Sequence, residues 1–314
     1  MWGAFTMTRP VRRQRFLRQR FLKHGSPGRS ALGHGLLSLG VLLLATGCGG
    51  GKSSSDAAPA ASDAAPAAMP AAGDFVKPSD GTNKWLPLKA GTQWTREGTT
   101  LIGKRAVAHK VTSTVTDVIR EINGVKAVLV LDEETGAGQV VDKSLDYLAV
   151  DNAGNVWWLG GVTEEYADGK FAGVDEAWLD GKKGGKAGIL LPADPTSGTA
   201  PWTIAAPPGE KGDQASFLEK RAEECVPFDC YKDVLVVSEG TGAETELKYY
   251  AQGVGQIRNE PKKSHDEDNE KLVNVTQLSA DGLSEASKEA LRMDAGAAKE
   301  ETDTFGDIKA ARAT

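Results

Sequence analysis

The chain has 314 residues, 37 Lys plus Arg against 43 Asp plus Glu, and 40% hydrophobic residues. That length admits one large domain or two small ones. Eight of the basic residues precede Cys48 and no acid does, so the remainder sets 29 bases against 43 acids and lacks the basic footprint that nucleic-acid binding needs.

Residues 1–47 read as an export signal. Arg9, Arg12, Arg13, Arg15, Arg18, Arg20, Lys23 and Arg29 form a long basic region, followed by an apolar or small run from Ala31 to Ala45. A positive region, a short apolar core and small residues before a cut define a secretory signal. The run is shorter than the ~20 residues of a comfortable membrane span. Translation starts at Met1 or Met7; the length of the basic region leaves both open. Leu44-Ala45-Thr46-Gly47-Cys48 resembles the bacterial lipobox, with Ala45 where the usual Leu stands three places before the Cys. The resemblance implies lipidation of Cys48, attachment to a membrane through that lipid and a cell-envelope address. Gly49 is not the Asp that retains some lipoproteins in an inner membrane, so the outer membrane is the expected one in a two-membrane organism. The alternatives are an uncleaved anchor, or a cut elsewhere with Cys48 incidental.

Residues 48–83 read as a disordered linker. Gly49 to Ser55 is almost entirely Gly and Ser, and Asp56 to Gly73 is mostly Ala, Pro, Ser and Asp. Such a stretch has too little apolar bulk to fold, and Pro59, Pro66 and Pro70 hold it semi-stiff. As a Gaussian chain it spans roughly 30 Å, which sets the domain off the membrane.

Residues 84–279 read as one β-rich domain. Val111, Val115 and Ile119 recur on one face of an alternating run. Asn123-Gly124 then separates it from Val125–Leu131, the strongest short-range hairpin signal. Tyr147–Val150, a turn over Asp151–Asn155 and Val156–Leu159 repeat that grammar, as do the residues flanking Asp168-Gly169. Later strands fall at Tyr231–Val237, Thr245–Ala251, Gly255–Arg258 and Leu272–Leu278. Turn signals every 8–12 residues predict an all-β, mainly antiparallel fold. Residues 280–314 read as a short helix, Glu285–Arg292 capped by Ser284, and a flexible tail.

The stretch Glu246-Leu247-Lys248-Tyr249-Tyr250-Ala251-Gln252-Gly253-Val254-Gly255-Gln256-Ile257-Arg258 resembles a Tyr-Ala-Pro-Gly-Val-Gly signature of uncharacterised bacterial envelope lipoproteins, with Gln252 in place of the Pro. Phe228–Val234 and Asp151–Trp158 are similar to two further segments of that family. The resemblance implies a curved antiparallel sheet like the half-barrel of lipoprotein carriers, which hold acyl chains in a concave face; it implies no established activity. Independently of any family, Gly253 and Gly255 permit a tight bend between two strands, a structural turn.

Outside the cytoplasm Cys225 and Cys230 form a disulfide more readily than two thiols, although two free thiols also fit the spacing. No His-Glu-x-x-His, Gly-x-Ser-x-Gly, Ser-x-x-Lys or phosphate-loop motif occurs, so no catalytic residue, cofactor or metal is assigned. His265–Glu270 and Asp151–Asn155 suit solvated turns better than calcium loops. Trp157, Trp158 and Trp178 are candidate ligand-binding residues against ordinary core packing; Trp157 and Trp158 point to opposite faces of one strand, so one of them is a candidate exposed ring. The expected role is a non-catalytic binding domain for an apolar ligand or an envelope protein. A structural or adhesive surface protein is the alternative, and an enzyme stands third.

Overall fold

A computed structural model describes residues 67–78, 82–102, 105–240, 245–262, 269–306 and 308–313. Cys48 and most of the expected linker lie outside them. So does His265–Asp268. The strands are β1 (Thr92–Ile102), β2 (Arg105–Ile122), β3 (Val125–Gly136), β4 (Gln139–Val150), β5 (Val156–Ala167), β6 (Lys170–Leu179), β7 (Gly188–Leu191), β8 (Trp202–Thr203), β9 (Gln214–Cys225), β10 (Cys230–Glu239), β11 (Glu246–Ala251), β12 (Gly255–Pro261), β13 (Asn269–Gln277) and β14 (Ala311–Arg312). Two helices follow β13: α1 (Ala280–Glu300) and α2 (Thr302–Phe305).

All strand pairings are antiparallel and belong to one sheet, ordered β6-β5-β4-β3-β2-β1-β13-β12-β11-β10-β9-β8, with β7 on β5 and β14 on β2. The order is two meanders, β1 to β6 and β8 to β13, joined at the centre of the sheet by the β1–β13 pairing. The sheet is not closed into a barrel. Its ends nevertheless meet: Lys186 N donates to Ala206 O, and Ala206 N donates back to Lys186 O.

The hairpins form where the sequence supplies left-handed turn residues. Asn123-Gly124 and Asp168-Gly169 have positive φ at both positions, which matches the twist of the flanking strands. The same geometry occurs at Ala137-Gly138 between β3 and β4, where Ala gives no sequence signal. Gly253 (φ 73°) and Gly255 (φ 117°) turn β11 into β12, and a Cβ on Gly255 would sit 3.1 Å from the indole nitrogen of Trp94.

Strands β3 and β5 are buried on both faces over their apolar runs Ala127–Leu131 and Val156–Leu159, which explains why those runs are unbroken. Val128, Val130, Leu148, Val150, Val156, Trp158 and Trp178 join one core with Trp202, Ile204 and Val237 from the opposite end of the sheet, so this face is concave. Leu129, Leu131, Leu145, Tyr147, Trp157 and Leu159 form a second core on the outer face, under Ala290, Met293, Ala297 and Phe305 of the helices.

The C-terminal segment departs from expectation. The helix is capped by Ser279, whose Oγ accepts from Gly282 N at 3.2 Å, five residues before the expected cap, and runs eight residues beyond the expected end. Its buried positions Ala290, Met293, Asp294 and Ala297 recur at helical spacing, and tertiary packing of that stripe outweighs two interior glycines. The expected flexible tail is also folded: α2 buries Phe305, and β14 pairs with β2 at Val118 and Ile119. Arg120 fastens this segment from below. Its guanidinium donates to Asp294 Oδ1 at 2.6 Å and to Phe305 O at 2.8 Å, and Tyr147 Oη donates to the same Asp294 oxygen at 2.9 Å. The last part of the expected linker packs as well, with Met69 and Phe75 on the outer core and Val76 N donating to Val150 O.

Candidate ligand-binding cavity

Register segregates the concave face along the strands. On β3 the inward positions read Val128, Val130, Asp132, Glu134; on the antiparallel β4 they read Asp142, Ser144, Asp146, Leu148. The pairs Asp132–Ser144, Val130–Asp146 and Val128–Leu148 therefore place both apolar ends together and both acidic ends together. On β1 and β2, Trp94 lies opposite Ser113 and Gly98 opposite His109, while Val115 lies opposite Val130. Across the sheet, Lys248 pairs with Asn259 and Asn259 with Glu270. Between these strands lies a cavity of about 110 Å³. Leu86, Leu88, Trp94, Val130, Leu148 and Leu190 line its apolar part; Arg96, Asp132, Asp146, Lys248, Asn259 and Glu270 are among its polar lining.

The polar end is a buried charge network. Arg96 donates from Nε to Glu270 Oε2 at 3.3 Å and from Nη2 to Ser113 Oγ at 2.9 Å. His109 is buried between two carboxylates, with Nε2 2.8 Å from Glu134 Oε1 and Nδ1 3.4 Å from Glu270 Oε1. Lys248 forms an ion pair with Glu239. Burial raises the pKa of Glu270, against the opposing charges of Arg96 and His109. Burial likewise raises Glu239 against Lys248, and Asp213 nearby is pushed up to about 7 by burial and then by the Glu239 charge. Burial lifts Tyr250 well above the usual phenol range, and the charge of Glu239 adds to it. Each buried ion carries a desolvation penalty of several kcal/mol, which apolar residues in the same places would avoid. Two of these shifted groups, Glu270 and Tyr250, line the cavity itself, which makes it the candidate functional site.

The structure pairs some of the residues singled out in the sequence, Cys225 with Cys230 and Trp158 with Trp178, but none of the three tryptophans and neither cysteine lines the cavity. Trp157, Trp158 and Trp178 are all buried. Neither face of β5 is bare, so neither Trp157 nor Trp158 is exposed. Trp157 lies under Phe75, its ring centroid 6.2 Å away, and its Nε1 donates to Asp151 Oδ2; Trp158 meets Trp178 edge-on at 5.2 Å on the concave side. Asp151 also accepts from Ala153 N, Asn155 N and Asn155 Nδ2, so both its oxygens serve the turn. Cys225 and Cys230 are directly opposed at the β9–β10 hairpin and bonded through sulfur, on the exposed surface. Among the described residues, the one trio of acid, thiol or imidazole groups near enough to share an ion is Glu223, Cys225 and Cys230, and both sulfurs are already committed to the disulfide. Gly253 N donates to Lys84 O, and Val254 O accepts from Trp94 Nε1, so this turn seats Trp94 in the cavity wall.

Of the charged residues of the cavity, only Lys248 and Glu270 entered the sequence reading, one inside the turn signature and the other at the end of a segment read as a solvated turn. A signal for the others was available: in β3 the inward series passes from Val to Asp and Glu with no break in alternation, and polar residues at core positions are the exception that asks for a reason.

No family model matches the chain, and no curated protein matches it. Two solved structures are similar in part. One is a presumed exported protein with a YmcC-like fold from Bacteroides fragilis, 13% identical, TM-score 0.34, covering 62% of this chain and all of its own. The other is a presumed lipoprotein from Parabacteroides distasonis, 12% identical, TM-score 0.31, covering 62% of this chain and 99% of its own.

Proposed function

We propose that this chain is a lipid-anchored, extracytoplasmic binding protein that takes a small, part-apolar and part-polar ligand in the cavity of its curved sheet. The signal, Cys48 and the Gly/Ser and Ala/Pro linker support the anchor. The observation that carries the binding role is the cavity itself, apolar toward one end of the strands and ionic toward the other. Its 110 Å³ is below the ~300–1,000 Å³ of drug-sized sites and nearer the ~150 Å³ that holds a benzene ring, which favours a compact ligand over a long acyl chain. Scattered exposed apolar residues such as Phe171, Leu218 and Phe228 give the adhesive alternative little to rest on.

Two measurements test the reading. Labelled palmitate is expected on the wild-type chain and not on Cys48→Ser, which should leave the membrane fraction; label on both variants refutes the anchor. Small molecules freed by denaturing the purified protein should include a compact polar–apolar compound at near-stoichiometric amount. Stoichiometric long-chain lipid would refute the small-ligand reading.

The raised carboxyls Glu270 and Glu239 favour one second reading, acid–base catalysis on the same ligand. Under it, Glu270→Gln stops turnover of the bound compound while the compound still binds.

A further inference from the structure

The ions at the polar end of the cavity are matched within the protein. Lys248 is held by Glu239 and Arg96 by Glu270, while His109 lies between Glu134 and Glu270. Burial also moves Glu270 toward its neutral form, and Asp146 is engaged as well. An ionic ligand would have to displace one of these partners or stay buried without a full partner of its own, and both are costly.

Asn259 is the exception among them. It is wholly buried, lines the cavity between Lys248 and Glu270 on the neighbouring strands, and neither its amide oxygen nor its amide nitrogen has a hydrogen-bond partner. A buried side-chain amide with both ends unmet is rare in folded proteins and asks for a partner of its own. Oδ1 needs a donor and Nδ2 an acceptor, so that partner must supply both. An ammonium only donates and a carboxylate only accepts, and each would leave one end of Asn259 unmet. A hydroxyl has a single proton on the same atom that accepts. A carboxamide sets N–H beside C=O at the spacing of the Asn259 amide itself, so the two can pair through two hydrogen bonds. A primary carboxamide has a second N–H to give, and Asp132 Oδ1 is a further buried oxygen of the lining without a partner.

Resting on the binding reading above, we infer that the cavity takes the head of a small, uncharged primary carboxamide. Its carbonyl accepts from Asn259 Nδ2, one N–H donates to Asn259 Oδ1, and the other donates to Asp132. The short apolar stem lies against Trp94, Leu148 and Leu190. The volume limits that stem to a few carbons, since a compact six-carbon ring already needs about 150 Å³.

The test holds the stem constant and changes the head. The full chain in lipid nanodiscs is dialysed to equilibrium against labelled n-butyramide, n-butanol, n-butylamine or n-butyrate, with empty discs as the blank. The amide should be retained saturably and about ten-fold or more tightly than each of the others, because each of them leaves a buried group unmet. Asn259→Leu, which removes both ends at nearly constant size, should weaken the amide about ten-fold or more and erase its advantage over the alcohol. Circular dichroism confirms the fold of the variant; the comparison of probes on the wild-type chain decides the question if it fails to fold. Equal retention of all the probes, preference for any head but the amide, or an amide advantage that survives Asn259→Leu overturns the carboxamide inference and leaves the binding reading standing. Retention of none overturns the inference too, and if denaturing the purified protein also frees no small molecule, the binding reading falls with it.

Discussion

Asp294 joins the helical cover to the sheet, and its removal gives the sharpest stability prediction. Arg120 and Asp294 have 2% and 4% of their side-chain surface exposed, and the carboxylate also takes the Tyr147 hydroxyl. Asp294→Ala leaves the Arg120 charge buried with only the Phe305 carbonyl opposite it, and breaking a buried pair from one side costs about 3–5 kcal/mol. The freed Tyr147 hydroxyl pushes the cost toward the upper half of that range. Set against a typical net stability of about 5–15 kcal/mol, that is a large fraction, and it should lower Tm by roughly 8–20 °C in a domain of this size. Replacing both partners with apolar residues, Arg120→Met with Asp294→Ala, removes the stranded charge and should recover most of the loss. Guanidinium unfolding followed by tryptophan fluorescence measures both variants, with the slope unchanged if only stability moves. An Asp294→Ala variant within 1 kcal/mol of wild type, or a double variant as unstable as the two single losses combined, would refute the reasoning.

Asp213, with its pKa up at about 7, binds a proton in the folded state over a range where the unfolded chain has released it. Stability should therefore fall as pH rises from about 4 to 7, by no more than ~1.4 kcal/mol per pH unit for this one proton, and Asp213→Asn should flatten that slope. A slope of opposite sign, or one indifferent to the substitution, would show that Asp213 is not held protonated. Changing Cys225 and Cys230 both to Ser opens a six-residue loop and should cost about 2 kcal/mol by the chain-entropy relation, read by the same denaturation assay. Since the bond sits on the surface away from the cavity lining, ligand retention should not change; a change would tie the hairpin to binding.

The strand grammar was legible because antiparallel hairpins write themselves locally. Asn123-Gly124 and Asp168-Gly169 announce their turns, whereas Ala137-Gly138 makes the same turn with a residue that carries no such preference. The helix was legible only in part. A cap at Ser284 is locally as good as one at Ser279, and the choice is made by Ser287, Met293 and Asp294 meeting β2 and the outer core, contacts distant in sequence. The fate of Trp157 depended on a covering segment that reads as linker: Phe75 packs on it because the outer face of β5 would otherwise stay bare. The cavity was hardest to foresee. Arg96, His109, Glu134 and Glu270 come from four strands, and only the β1–β13 pairing brings the two halves of their network together. No spacing motif could reveal it, because no two of those residues share a strand.

The most direct test of the central claim is native mass spectrometry of the full chain, released from its own membranes in mild detergent, beside a Leu148→Trp variant whose larger ring fills the cavity. Wild type should carry a small extra mass near one equivalent, and the folded variant should carry none. A clean mass for wild type, or the same added mass on both, would contradict a ligand in the concave cavity.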